Sequence, residues 1–186
     1  NLFLWSGWKK DKLTVDFVPL FETVNDLQNA AQVMDRLYSN SFYRSHLKSR
    51  KNQQTIMLGF SDSTKDGGYL MANWSIYHAK ASLTAIAKTY DIDLVFFDGR
   101  GGPPARGGGK THRFYASMGN DIANSTIQLT IQGQTISSQY GSKETAYHNM
   151  EQLINAGITS SLEHKTRRTM EPDEATVFKN LADTSY

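Results

Sequence analysis

Thr55-Ile56-Met57-Leu58, followed at once by Gly59-Phe60-Ser61-Asp62-Ser63-Thr64-Lys65-Asp66-Gly67-Gly68, sets an apolar run directly against a polar stretch that ends in glycine. The apolar run reads as a buried strand and the polar stretch as the loop that leaves it. The same transition occurs on either side. Val15 to Val18 leads into Pro19-Leu20-Phe21-Glu22-Thr23, and Leu94 to Phe97 leads into Asp98-Gly99-Arg100-Gly101-Gly102. Ile127 to Ile131 reads as a fourth strand of the same kind.

Between these runs the apolar period lengthens to that of helices. Thr23 with Asp26 suits a capping box, and Leu27, Ala30, Ala31, Met34 and Leu37 continue as one helical stripe. A second helical stretch follows near Phe42 to Lys48. Leu70, Trp74, Tyr77 and Ala81 mark the stripe of a long helix ending near Tyr90, and Ala146, Met150, Leu153 and Ile154 mark another from Ser142. Pro172 suits the first turn of a last helix running to about Leu181. Alternating strands and helices predict βαβ units with parallel strands. A closed (β/α)8 barrel needs about 250 residues and eight units. The residues alone therefore predict an open α/β sheet of four strands with long helices, in a single domain over residues 1–186.

Composition narrows the chemistry. The chain has 186 residues, a formal net charge of +2 and no cysteine, so disulfides, thiolate zinc sites and cysteine nucleophiles are excluded. No apolar run approaches the length of a membrane span. The start at Asn1 rather than Met leads us to expect a piece of a longer protein.

If the strands are parallel neighbours, Glu22, Asp62, Lys65 and Arg100 emerge together at their carboxyl ends, where α/β proteins build their sites. Glu22 and Asp62 are hard oxygen donors suited to Mg²⁺ or Mn²⁺. Each also has a plain structural reading, Glu22 as a first-turn acid and Asp62 with Lys65 as a turn motif and a solvated cation. From Gly99 to Arg113 the chain carries six glycines, three arginines, a lysine and a histidine without an acid. Backbone amides and guanidiniums in such a segment suit an oxyanion. The alternative is a noncatalytic anion or nucleic-acid binding module that uses Arg100, Arg106, Lys110 and Arg113. Pro104 stands where a phosphate-binding P-loop before Gly109-Lys110-Thr111 needs glycine, and the five histidines show no zinc-hydrolase spacing.

Pro19 to Thr23, Gly59 to Gly68, and Gly99-Arg100-Gly101-Gly102 with Arg106-Gly107-Gly108-Gly109 and Thr111-His112 together resemble the phosphoenolpyruvate carboxylase family, in order and spacing, from about Thr14 to Ala182. The resemblance implies a cytoplasmic enzyme that joins phosphoenolpyruvate and bicarbonate to give oxaloacetate and phosphate. It implies a fragment of a (β/α)8 TIM-type barrel, completed by the remainder of a parent chain that forms a homotetramer, with no membrane or nucleic acid as partner. Glu22 and Asp62 are then the ligands of Mg²⁺ or Mn²⁺, and Lys65 and Arg106 catalytic groups. Arg100 becomes a phosphate-binding arginine and Leu20 part of the apolar wall around the substrate. The departures are Asp98, where the family usually has histidine, Pro103-Pro104-Ala105, Lys110, and a segment from Thr130 to Gln139 that lacks the family's charged residues. The family's catalytic histidine and a second phosphate-binding arginine have no counterpart here, so this chain alone is expected to be inactive.

Overall fold

The computed structural model describes residues 2–9, 12–103, 108–119, 121–162 and 170–186. Its centre is a parallel sheet of β1 (Leu20–Phe21), β2 (Gln53–Gly59), β3 (Asp93–Gly99) and β4 (Ile127–Leu129), ordered consecutively without a reversal. The helices are α1 (Leu2–Trp5), α2 (Val24–Ser39), α3 (Ser41–Ser49), α4 (Phe60–Thr89), α5 (Thr111–Ala116), α6 (Gln134–Tyr140), α7 (Lys143–Leu162) and α8 (Pro172–Ser185). None of the described helices is long and apolar enough to cross a membrane.

Register assigns each side chain to a face. Phe21, Leu58, Asp98 and Leu129 lie in one row across the four strands, and Leu20, Met57, Phe97 and Gln128 in the next. Phe21, Ile56, Leu58, Leu94 and Phe96 join the main core together with Leu27, Met34 and Tyr38 of α2 and Ile76, Ala79 and Leu83 of α4. Each such fully buried aliphatic side chain contributes about 1.5–3 kcal/mol. The opposite row is less covered: Leu20 is 45% exposed, and Met57 and Phe97 are half-buried.

Five local readings are corrected by the fold. The first strand is Leu20–Phe21 rather than Val15 to Val18. Residues 16 to 18 are exposed, and the Phe17 carbonyl accepts from the Gln54 side chain instead of a strand ladder. Backbone pairing begins only where the Pro19 carbonyl accepts the Met57 amide at 2.8 Å. The fourth strand likewise stops at Leu129.

The stretch after β2 is helical from Phe60 and not a loop, because Ser, Asp and Thr suit a helix's first turns as well as a loop. A break at Gly68 (φ 75°, ψ 173°) divides α4 into a short forward segment and a long rear one. The buried stripe of the rear segment is Ala72, Ile76, Ala79, Leu83 and Ala87, offset from the expected one. Small alanines let α4 lie close on the sheet and α2. The bulky Trp74 turns outward and stacks on Phe178 of α8 at 6.1 Å. In α7, Met150 and Ile154 are exposed while Ala156 is buried, so that stripe is offset too.

Candidate active site

The carboxyl ends of β1 and β2 are fixed to each other by the forward segment of α4. Its N-cap, Gly59, offers no side chain. A Cβ there would sit 2.9 Å from Glu22 Cγ and 3.4 Å from Glu22 Cα, so the glycine lets Glu22 lie directly across the strand end. Ser63, fully buried, points its hydroxyl at the carbonyls of both Glu22 and Gly59. One proton shared between two acceptors binds the two strand ends into one unit. One helical turn further, the Asp66 carboxylate accepts the Val24 amide at 2.8 Å and satisfies a free donor of the first turn of α2. The capping box predicted at the same place is present, with Thr23 and Asp26 exchanging bonds at 3.0 and 3.1 Å. These bonds hold Asp26 below the usual carboxylate range.

Asp62 lies on the outward side of this forward segment, and Lys65 Nζ donates to its Oδ1 at 2.6 Å. The two line a cleft of about 450 Å³ with Gly102 and Pro103 of the loop after β3 and Gln132, Gln134 and Thr135 of the segment after β4. Thr135 donates to the Gly102 carbonyl at 3.4 Å, and Gln132 N–H to the Gly101 carbonyl at the same distance. Both side chains of the Asp62–Lys65 pair are about half exposed, at 50% and 55%. Such a pair contributes only about 0–1 kcal/mol, so a competing cation can replace the lysine at small cost. A larger hollow of about 750 Å³ is lined by α7 and, among the described residues, holds one carboxylate, Glu151; it offers no paired chemistry.

Arg100 departs from the expected picture of a side chain open to a ligand. It is 7% exposed, with its Nη2 donating to the Gly108 carbonyl at 3.2 Å and its Nη1 to Thr111 at 3.4 Å. Its guanidinium lies 4.5 Å from the centre of the Phe114 ring, and its Nε has no partner among the described residues. Burial pulls its pKa down from the usual guanidinium value, while the nearby Tyr115, Tyr69 and Asp98 push it back up. Two residues earlier, Asp98 is fully buried and accepts from Lys80 Nζ at 2.7 Å and from Tyr115 Oη at 2.8 Å, both on Oδ2. Burial lowers the Lys80 pKa, opposed by the Asp98 carboxylate, and burial raises that of the Tyr115 phenol. Asp98 is thus paired with a lysine from α4.

A family model described as phosphoenolpyruvate carboxylase matches residues 3–186. The chain belongs to the phosphoenolpyruvate carboxylase family. It is 40% identical over 169 residues to a curated phosphoenolpyruvate carboxylase of Corynebacterium diphtheriae, a match covering 90% of this chain and 19% of that relative. The chain therefore spans about a fifth of the length of the relative it matches.

The residues expected from the phosphoenolpyruvate carboxylase resemblance fall into three groups. Glu22 lies at the end of β1 against Gly59, and the Asp62–Lys65 pair lies in the first turns of α4 at the end of β2, lining a cleft whose lining does not include Glu22. Arg100 belongs to the neighbouring end of β3 but turns beneath α5. Leu20 lies on the less covered face, in register with Met57. Arg106 lies outside the described residues. Among the described residues no group of three or more His, Asp and Glu side chains converges on a metal position. A divalent ion here would take two carboxylates, Glu22 and Asp62, and complete its shell with water and substrate, which fits the habits of Mg²⁺ and of Mn²⁺.

Sequence reasoning did not find Ser63, Asp66 or Lys80. Asp66 bonds to a residue 42 positions away, and Lys80 to one 18 positions away, separations that carry no local signal. A lysine in an otherwise apolar stripe is the one sign available for Lys80, since such a residue is seldom buried without a partner.

Proposed function

We propose that this chain forms part of the catalytic face of a phosphoenolpyruvate carboxylase, which joins phosphoenolpyruvate and bicarbonate to give oxaloacetate and phosphate. Family membership together with one geometric fact carries the reading: Glu22 and the Asp62–Lys65 pair lie on strand ends that Ser63 binds together. The sheet fits a partial (β/α)8 TIM-type barrel. Its strands run parallel in consecutive order, and helices pack on one face, while the other carries the less covered Leu20, Met57 and Phe97. The remainder of the parent chain supplies the missing barrel units and the cover for that face. The parent is a cytoplasmic homotetramer, and this chain alone is inactive.

Both substrates are anions, so the site must offset their repulsion before bicarbonate can attack phosphorus. Glu22 and Asp62 would hold Mg²⁺ or Mn²⁺. The divalent ion, when bound, supplies Lewis-acid stabilisation for negative charge that develops on oxygen. Lys65, half-exposed beside Asp62, would offer its ammonium to an anion entering the cleft. Arg100 holds the substrate phosphate from beneath α5, and Arg106 acts on bicarbonate and the carboxyphosphate formed from it. Leu20 provides apolar contact for the substrate methylene, and the loop from Gly99 to Arg113 excludes water from the enolate.

The test is an assay of the intact parent protein for bicarbonate-dependent oxaloacetate formation with Mg²⁺ or Mn²⁺. Activity that falls by at least about a hundredfold in Asp62→Asn supports the reading, because metal-mediated charge stabilisation is worth several kcal/mol. An intact protein without activity, or an Asp62→Asn variant as active as the parent, overturns it.

A further inference from the structure

The buried cluster beneath α5 carries more positive than negative charge. Lys80 is 2% exposed, Asp98 0% and Arg100 7%. Lys80 is ion-paired with Asp98 at 2.7 Å, whereas among the described residues Arg100 donates to neutral acceptors, the Gly108 carbonyl and the Thr111 hydroxyl, at 3.2 and 3.4 Å. Both cations lie over the same Phe114 ring, with Lys80 Nζ at 5.3 Å and the Arg100 guanidinium carbon at 4.5 Å from its centre. Two cations and one carboxylate leave one positive charge without a partner. A buried charge of that kind is costly unless something of opposite sign arrives.

The bonding around Asp98 shows why Arg100 is the charge left over. Lys80 and Tyr115 both contact Oδ2. Asp98 Oδ1 and Arg100 Nε, two residues apart in the chain, are each buried without a hydrogen-bond partner among the described residues. An acceptor and a donor so placed would pair if nothing else neutralised the carboxylate, and Arg100 would then be closed to any ligand.

We propose that Lys80 is a positioning residue for anion binding: by claiming the Asp98 carboxylate it keeps that acid from capturing Arg100, whose charge stays available to the anionic substrate. The identity of that substrate rests on the carboxylase reading; the competition between Lys80 and Arg100 for Asp98 does not. In this chain Asp98 and Lys80 act as one unit at the position where the family usually has histidine, and neither is expected to serve without the other.

The experiment uses Lys80→Met, Asp98→Asn and the double variant in the intact enzyme. Lys80→Met should raise KM for phosphoenolpyruvate at least about tenfold with a smaller change in kcat, the effect of losing one charge-assisted contact. The double variant should recover a KM within about threefold of the parent, because the acid that captures Arg100 is gone and a buried ion pair can be replaced by neutral groups without unfolding. A KM unmoved by Lys80→Met, or a double variant as impaired as Lys80→Met, overturns the proposal.

Where Lys80→Met alone does not fold, Asp98→Asn and the double variant decide. With the acid removed, Lys80 has nothing to withhold, and the two should agree in KM within about threefold; a larger difference counts against the proposal. A readout independent of catalysis is the coupling between Asp98 and Arg100 in thermal unfolding, from Asp98→Asn and Arg100→Met cycles with lysine and with methionine at position 80. The coupling should be weak with lysine and strong with methionine. A parent that makes no oxaloacetate defeats the carboxylase reading alone, whereas equal couplings in the two backgrounds defeat this one.

Discussion

The Asp66 carboxylate accepts the backbone amide of Val24 at 2.8 Å, joining two helices whose contacting residues are 42 positions apart. It holds the start of α2 against the forward segment of α4, and with it the turn that carries Glu22. Replacing Asp66 with alanine should cost about 1 kcal/mol, the usual loss when a helix N-terminus gives up a side-chain acceptor. Asparagine keeps an acceptor without the charge and should cost less. Urea unfolding of the three forms checks this, and equal losses for alanine and asparagine would assign the effect to charge alone.

Acid should weaken the capping box of α2. Asp26 has its folded pKa lowered by bonds from the Thr23 amide and hydroxyl. The unfolded chain then binds its proton first, at about pH 4, so the contribution is complete above that value and disappears as pH falls through the folded pKa. Stability curves of the parent and Asp26→Asn should differ at neutral pH, and the gap should close as pH falls through the lowered folded pKa. A gap that persists unchanged into strong acid would contradict the assignment.

Gly59→Ala should separate metal affinity from folding. The added methyl would meet Glu22 Cγ at 2.9 Å and displace that side chain, while the backbone at Gly59 (φ −91°) tolerates alanine. Titration with Mn²⁺, followed by electron paramagnetic resonance, should show an affinity loss of about tenfold, within the range for displaced ligand supports. Asp62→Asn should lose at least as much. Unchanged Mn²⁺ binding in both variants would remove Glu22 and Asp62 from the metal site.

Gly68→Ala tests backbone strain. A Cβ at this position would find open space apart from the Ser185 carbonyl at 3.5 Å, so the cost comes from the positive φ of 75°. Destabilisation of about 1–3 kcal/mol is expected by calorimetry. Stabilisation would mean that α4 straightens when the glycine is removed.

The legible parts of the fold were those where one local pattern had one meaning. β2 and β3 each contain a short run of consecutive apolar residues, and α2 announces itself through Thr23, Asp26 and its stripe. Val15 to Val18 has a strand's composition but no ladder partner, a matter that register with β2 decides and composition does not. In α4 the choice between an alanine face and an aromatic face is made by how closely the sheet, α2 and α8 approach, which no local window contains. Glu22, Asp62 and Lys65 could be read as polar residues just past strand ends, but the ion pair of Asp62 with Lys65 could not, since the sequence there suits a turn motif beside a solvated lysine as well. The pairing of Lys80 with Asp98 joins residues of two elements, 18 positions apart, so no short window of sequence shows it.

The break at Gly68 makes α4 two rods joined at a pivot. The rear rod is embedded in the main core along its length, whereas the forward one is anchored there by Phe60 alone among the residues of that core and is otherwise held by the Ser63 and Asp66 bonds. Amide protons of residues 61–67 should therefore exchange with solvent through small local openings, long before those of residues 76–87 do. The turns that present Asp62 and Lys65 can yield to a ligand without disturbing the layer that keeps the protein folded.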